Sequence, residues 1–324
     1  MNEFVLAGDL GGTNLRIAVV DPTGRLLFRV EADTPRHSDA SKIVETAVRL
    51  TDKCREQLQS EPLALGFAIP AIMKADEELI YSSPNLPELG GTPLAKSLEG
   101  RLGLAVILEN DATAAAIGEH WRGASQEYDN SICVTLGTGV GGGIILNGQP
   151  LRGPDGTAGE IGHICVEPRG VPCGCGSNGC IEQYASASAI VRMATELLPE
   201  YPGTKLTDLT GVDASTIYEH GIDGDPLCRE VFRRAGAYLG IALAGVINVL
   251  NPEVVVIGGG AANGWDLFID AARKEIRKRA FHEPAERARI VRASLGSDAG
   301  IVGAAYLAFE KSGHFSRSQT RQFS

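Results

Sequence analysis

The sequence predicts an α/β protein built from two related halves, on three observations. Short apolar runs of strand character alternate with amphipathic helical segments along the chain. Two glycine-rich β-hairpins repeat one plan: a shift of 126 places sets Gly11 on Gly137, Val19 on Ile145 and the turn residue Asp21 on Asn147 without a gap. The 324 residues suffice for two packed units, at roughly 100–200 residues per domain.

The first hairpin runs from Phe4 to Leu10, bends through Asp9-Leu10-Gly11-Gly12-Thr13-Asn14, returns over Leu15 to Val20 and stops at Asp21-Pro22-Thr23-Gly24. Ser38 to Ser60 carries Ile43, Ala47, Leu50, Cys54 and Leu58 at helical spacing, with Ser38 or Asp39 as its cap. Leu63 to Ile69 and Leu104 to Leu108 read as buried strands. The second hairpin enters over Ile132-Cys133-Val134, bends through Leu136 to Gly143, and turns at Asn147-Gly148. Helices are expected over Ala185 to Leu198, Pro226 to Leu250, Trp265 to Ala280 and Gly300 to Lys311, with strands at Glu253 to Ile257 and Ile290 to Leu295. The polar tail His314 to Ser324 is expected to be disordered. The halves divide as 1–118 plus about 303–324, and 119–302.

Apolar residues make up 44% and charged residues 22%, the balance of a globular chain rather than a disordered one. The net charge of −10 disfavours nucleic acid as a partner. The start lacks the basic and long apolar regions of a signal peptide, so the expected location is cytoplasmic. Ala235 to Pro252 is interrupted by Gly236, Gly240, Gly245, Asn248 and Asn251, which suits a buried helix better than a membrane span.

Four constellations carry chemistry. Glycines at the two bends free the backbone to reach positive φ and bring N–H groups close to an anion, and Thr13 and Thr138 add hydroxyls. Asp9 beside such a cradle implies Mg²⁺ between carboxylate and phosphate, reached through water; tight hairpin turns are the alternative. Gly137, Gly139 and Gly142 also satisfy a dinucleotide fingerprint, but β-branched residues follow where a helix should begin, and no Gly-Lys pair supports a Walker loop.

Asn110 and Asp111 stand where an apolar strand meets an alanine-rich helix, so Asp111 is either a helix cap or a general base with Asn110 holding a neighbouring hydroxyl. Gly159-Glu160-Ile161-Gly162-His163, followed by Cys173, Cys175 and Cys180, supplies three thiolates and an imidazole for a closed, structural Zn²⁺ site that fixes the loop bearing Glu160, His163 and Glu182. Gly258-Gly259-Gly260 ends a buried strand and leaves either a flat slot for a purine or a close packing contact.

Together these segments resemble the ROK family of bacterial sugar kinases, in the superfamily of the actin and hexokinase nucleotide-binding fold. The resemblance implies a two-lobed actin-like ATPase (ribonuclease H-like) fold with an inserted zinc loop. It implies ATP bound by Asp9, Gly11, Gly12, Thr13 and Asn14, by Gly137, Thr138 and Gly139, and by Gly258 to Gly260. Asp111 is then the base, and Asn110, Asp111, Glu160, His163 and Glu182 bind the sugar. His163, Cys173, Cys175 and Cys180 hold zinc, with the second ring nitrogen of His163 offered to the sugar. The expected reaction is ATP-dependent phosphorylation of the 6-hydroxyl of glucose in a cleft between lobes, by a homodimer or homotetramer. An N-acetylglucosamine, N-acetylmannosamine or other hexose kinase is the enzyme alternative, and a non-catalytic sugar sensor the other. With three residues ahead of Phe4, the helix-turn-helix of ROK repressors is not expected.

Overall fold

The computed structural model describes residues 3–58, 60–73 and 79–315. In chain order the elements are β1 (Val5–Leu10), β2 (Asn14–Val20), β3 (Leu26–Asp33), α1 (Ala40–Arg55), β4 (Leu65–Ile69), β5 (Ile72–Met73), β6 (Ile80–Ser82), α2 (Leu94–Leu102), β7 (Val106–Asn110) and α3 (Asp111–Arg122). There follow β8 (Ser131–Leu136), β9 (Val140–Leu146), β10 (Gln149–Pro150), α4 (Glu182–Ala185), α5 (Ala187–Leu197), α6 (Ala214–Ile222), α7 (Pro226–Leu250), β11 (Val254–Gly258), α8 (Trp265–Arg279), α9 (His282–Arg287), β12 (Arg289–Arg292) and α10 (Ala299–Lys311).

The first sheet has the order β3-β2-β1-β4-β7, and the second β10-β9-β8-β11-β12. The shift of 126 read from the hairpins carries β1 onto β8 and β2 onto β9 end to end. In the first sheet β1 and β2 are antiparallel, while β1, β4 and β7 run parallel. Successive side chains of β1 and β2 alternate between two cores, as the period of two requires. Leu6, Leu10, Leu15 and Ile17 pack with Ile43, Ala47 and Leu50 of α1 and Leu94 and Leu98 of α2. Val5, Ala7, Ala18 and Val20 pack on the other face with Ala114 of α3 and Ile301, Ala304 and Ala305 of α10. There the missing side chains of Gly118 and Gly303 let α3 and α10 cross in backbone contact, with Gly118 on the Ala299 carbonyl and Gly303 on that of Ala114.

Two compact units result: residues 1–133, 143–159 and 293–324 form one, and 134–142 with 160–292 the other. The sequence reading sets the boundaries at 118 and about 303, with the C-terminal segment returning to the first half. The segment after Gly142 joins the first unit because Gly143, lacking Cβ, packs on Ala112 and Ala116 of α3. In the second unit α7 begins at Pro226 with the Asp225 carboxylate accepting the Cys228 N–H, and ends at Asn251 in the left-handed region (φ 49°). No described helix is long and apolar enough to cross a membrane.

Several boundaries depart from the sequence reading. Helix α1 is shorter than 38–60, starting after Asp39, whose side chain accepts the Ser41 N–H. The helix expected over Ala185 to Leu198 breaks at Ser186, which is extended (ψ 162°) and caps α5 through Ala189 N. Strand β12 stops at Arg292 because the Ser294 and Leu295 N–H groups turn to the Glu119 carboxylate. Strand β3 and helices α2, α6 and α9 went unforeseen. Of the tail, residues 316–324 lie outside the described residues, but His314 and Phe315 are packed: the Phe315 ring lies 5.7 Å from Trp121 and 5.2 Å from Phe309. Aromatic contact overrides the polar surroundings there.

Candidate active site and metal loop

Strand β7 is in parallel register with β4, pairing Ile69 with Asn110, so the Asn110-Asp111 step stands at the carboxyl ends of parallel strands, where α/β sheets place ligands. Asn110, not Asp111, caps α3: its Oδ1 accepts the N–H groups of Ala112 and Thr113, each at 3.0 Å. Its Nδ2 donates to the Ala71 carbonyl at 3.4 Å. Asp111 is the first helical residue, exposed, with Oδ1 accepting the Ala112 N–H at 2.8 Å. Behind them Glu109 is 7% exposed and paired with Arg152. Burial raises the Glu109 carboxyl above its ordinary value, and the Arg152 guanidinium opposes that.

At the first bend the Gly11 N–H closes the hairpin on the Asn14 carbonyl at 2.8 Å, and Thr34 donates from Oγ1 to the Gly11 carbonyl and from N to the Thr13 carbonyl. Space around Gly12 is open where a Cβ would stand. Asp9 faces Arg16 across the hairpin and forms an ion pair with it, and Arg16 also donates to the Ser297 carbonyl at 3.1 Å. Burial raises the Asp9 carboxyl above its usual range, against the pull of Arg16. The Asp9–Arg16 pair was not foreseen, although cross-strand register places the two residues opposite.

The second bend is tied to the residues read as sugar ligands. The Gly137 N–H closes on the Gly139 carbonyl at 2.9 Å, the Ala187 N–H donates to the Gly137 carbonyl at 2.8 Å, and Ser188 Oγ donates to the Thr138 carbonyl at 2.9 Å. Glu182 Oε2 accepts the Val140 N–H at 3.0 Å and lies where a side chain on Gly139 would stand. The Val140 carbonyl in turn packs on Gly162, in the short 3₁₀ turn Ile161–His163. Neither bend uses left-handed glycine: Gly11, Gly12, Gly137 and Gly139 all lie outside positive φ, which corrects the reason given for them. Of the four, only Gly139 has a neighbour that a Cβ would strike, the Glu182 carboxylate. Gly259 differs, with φ 87° and the Leu136 backbone against it, while Gly260 faces open space.

His163, Cys173, Cys175 and Cys180 converge with their ligand atoms within 4.8 Å of one another. Bonds of about 2.0–2.3 Å arranged tetrahedrally around zinc set donor atoms roughly 3.3–3.8 Å apart. Cys173 Sγ lies 3.7 Å from His163 Nδ1, and Cys175 Sγ 3.6 Å from Cys180 Sγ, so the donor set fits that metal. Nδ1 faces the thiols, while Nε2 is 3.8 Å from Glu160 Oε2. Backbone bridges Cys165–Cys180 and Pro172–Asn178 brace the loop. Burial raises the Glu160 carboxyl above its ordinary range, countered by His163 and reinforced by Glu182.

The sequence model of the ROK family matches residues 5–311. The chain belongs to the ROK family. A glucokinase of Halalkalibacterium halodurans is 35% identical over 314 residues, covering 94% of this chain and 95% of that protein. A glucokinase of Thermotoga maritima is 34% identical over 322 residues, covering 97% and 100%. Among solved structures, a ROK family glucokinase from Streptomyces griseus in complex with glucose and AMPPNP superposes with a TM-score of 0.82 at 36% identity, covering 95% of this chain and 99% of that one. This ROK protein therefore has the α/β fold of the actin-like ATPases.

Proposed function

We propose that this ROK protein transfers the γ-phosphoryl group of ATP to the 6-hydroxyl of glucose. The observation that carries the reading is the β7–α3 junction. Asn110 caps α3, and the Asp111 carboxylate stands exposed beside it, in the first turn of the helix at the carboxyl end of β7. Similarity along nearly the whole chain to a glucokinase solved with glucose and an ATP analogue supports it.

In this reading Asp111 accepts the 6-hydroxyl proton as that oxygen forms its bond to the γ-phosphorus and ADP leaves, a contribution of about 10²–10⁴-fold for a placed base. Orientation by Asn110, Glu160, His163 Nε2 and Glu182 supplies more, since phosphoryl transfer needs little else from the protein than alignment and charge. Gly11 to Asn14, Gly137 to Gly139 and Gly258 to Gly260 hold the nucleotide. Mg²⁺, when bound, would neutralise developing phosphate charge, and Asp9 would meet it through water. Zn²⁺, when bound, would be held by His163, Cys173, Cys175 and Cys180 and would fix the loop that carries Glu160 and Glu182. The proposal includes a cytoplasmic location and a homodimer or homotetramer.

The test is ADP release in a coupled assay over glucose, N-acetylglucosamine, N-acetylmannosamine, fructose and mannose. Glucose should give the highest kcat/KM. A preference for an N-acetylhexosamine would move the assignment to that kinase class, and sugar binding without ADP release would make the protein a sensor.

A further inference from the structure

Glu109 is a buried carboxylate to which the proposed chemistry gives no part. Its Oε2 accepts two hydrogen bonds from Arg152, from Nε at 2.8 Å and from Nη2 at 2.6 Å. Its Oε1 accepts the Asn110 N–H at 3.0 Å. Arg152 stands just beyond β10, where its carbonyl accepts the Ala158 N–H at 3.0 Å. Asn110 is thereby held at its N–H, its Oδ1 and its Nδ2 together. An isolated strand end needs no buried charge, and a carboxylate taken from water without a partner is costly. A neutral side chain would fill the position at less cost unless the fixed direction of that carboxylate has a use.

We propose that Arg152 and Glu109 form a positioning pair: Arg152 orients the Glu109 carboxylate, which pins the Asn110 peptide and so sets the direction in which Asp111 leaves the first turn of α3. Neither residue touches the reacting atoms. The inference rests on the reading of Asp111 as the base.

A double-mutant cycle of Arg152→Met, Glu109→Gln and the two combined separates this from a purely structural ion pair. Arg152→Met should lower kcat with glucose about 10- to 100-fold, the scale of a misplaced reacting group, while the KM for ATP changes less than about twofold. Glu109→Gln should lower kcat to a similar extent, and the combined variant should fall little further than Arg152→Met alone, because both residues act through the one bond to the Asn110 peptide. Arg152→Lys keeps the charge without the fork, so it should fall between wild type and Arg152→Met, and it serves as the folded comparator if Arg152→Met fails to fold. Hydrogen exchange gives a readout independent of turnover: the Asn110 amide should exchange at least about tenfold faster in the Arg152 variants, with the strands β1 and β4 unchanged. Additive losses around the cycle, or unchanged exchange at Asn110, would overturn the pair. If the wild-type protein phosphorylates no hexose, the kinase reading falls, and the exchange experiment still decides whether Arg152 holds Asn110.

Discussion

Glu182 Oε2 accepts the backbone N–H of Val140 at 3.0 Å, which joins a residue read as a sugar ligand to the second glycine-rich bend. The Glu160 carboxylate instead faces the His163 ring, with Oε2 3.8 Å from Nε2. Glu182→Ala should therefore raise the KM values of glucose and of ATP together, each about 10-fold or more, the worth of a hydrogen bond to a charged group. Glu160→Ala should raise the glucose KM and leave that of ATP within about twofold. Steady-state kinetics with each substrate varied in turn checks this.

Metal should be measurable directly. Elemental analysis of the purified protein is expected to find close to one zinc per chain, and Cys175→Ser to lose most of it. Burial pushes the Cys180 thiol up to about 12, so metal capture must release a proton there, and chelation should be easier at low pH. The same variant should raise the glucose KM, since the loop that carries Glu160 and His163 is closed by these ligands.

Glu119 is 0% exposed and accepts four N–H or O–H groups from elsewhere in the first unit: Ala124 N, Ser294 N, Ser294 Oγ and Leu295 N. Glu119→Ala leaves those donors without their buried, charged acceptor and should cost about 3 kcal/mol or more in urea unfolding, with Glu119→Gln intermediate.

The local signals were legible, and the distant ones were not. Asp225 and Pro226 announce α7 within two residues, and the stretch from Glu160 to Glu182 carries its ligands in one contiguous loop. Glu119 and Ser294 are 175 positions apart, and Arg152 and Glu109 are 43 apart, so no window of sequence holds both partners. Ser186 was hidden for another reason: alanines on both sides suit a helix, and only its bond to Ala189 N reveals a break. Arg16 could have been found, because the turn at Gly11 to Thr13 fixes the register that sets it opposite Asp9.

Glu230 gives a pH test. Its carboxylate accepts from Arg233 at 2.6 Å and from Arg234 at 2.8 Å, and the bond from Arg233 leads in lowering its pKa from 4.5 to about 2. A depressed carboxylate stabilises the fold above its ordinary value, and that contribution fades as pH falls from about 4.5 towards about 2. Glu230→Gln should lose about 1 kcal/mol at pH 7, allowing for solvent screening, and the gap from wild type should close on acidification. Chemical denaturation along a pH series measures it.

Translating the first hairpin onto the second sets Asp9 on Thr135 and Arg16 on Gly142. The frame is mirrored strand for strand, yet only one copy carries the opposed acid and base. Architecture and chemistry are thus separable: the repeated scaffold tolerates neutral occupants at these two places, and a pair of side-chain identities makes one copy polar in a way the other is not. Transplanting Asp and Arg into the second copy would ask whether the scaffold or its occupants assigns that polarity.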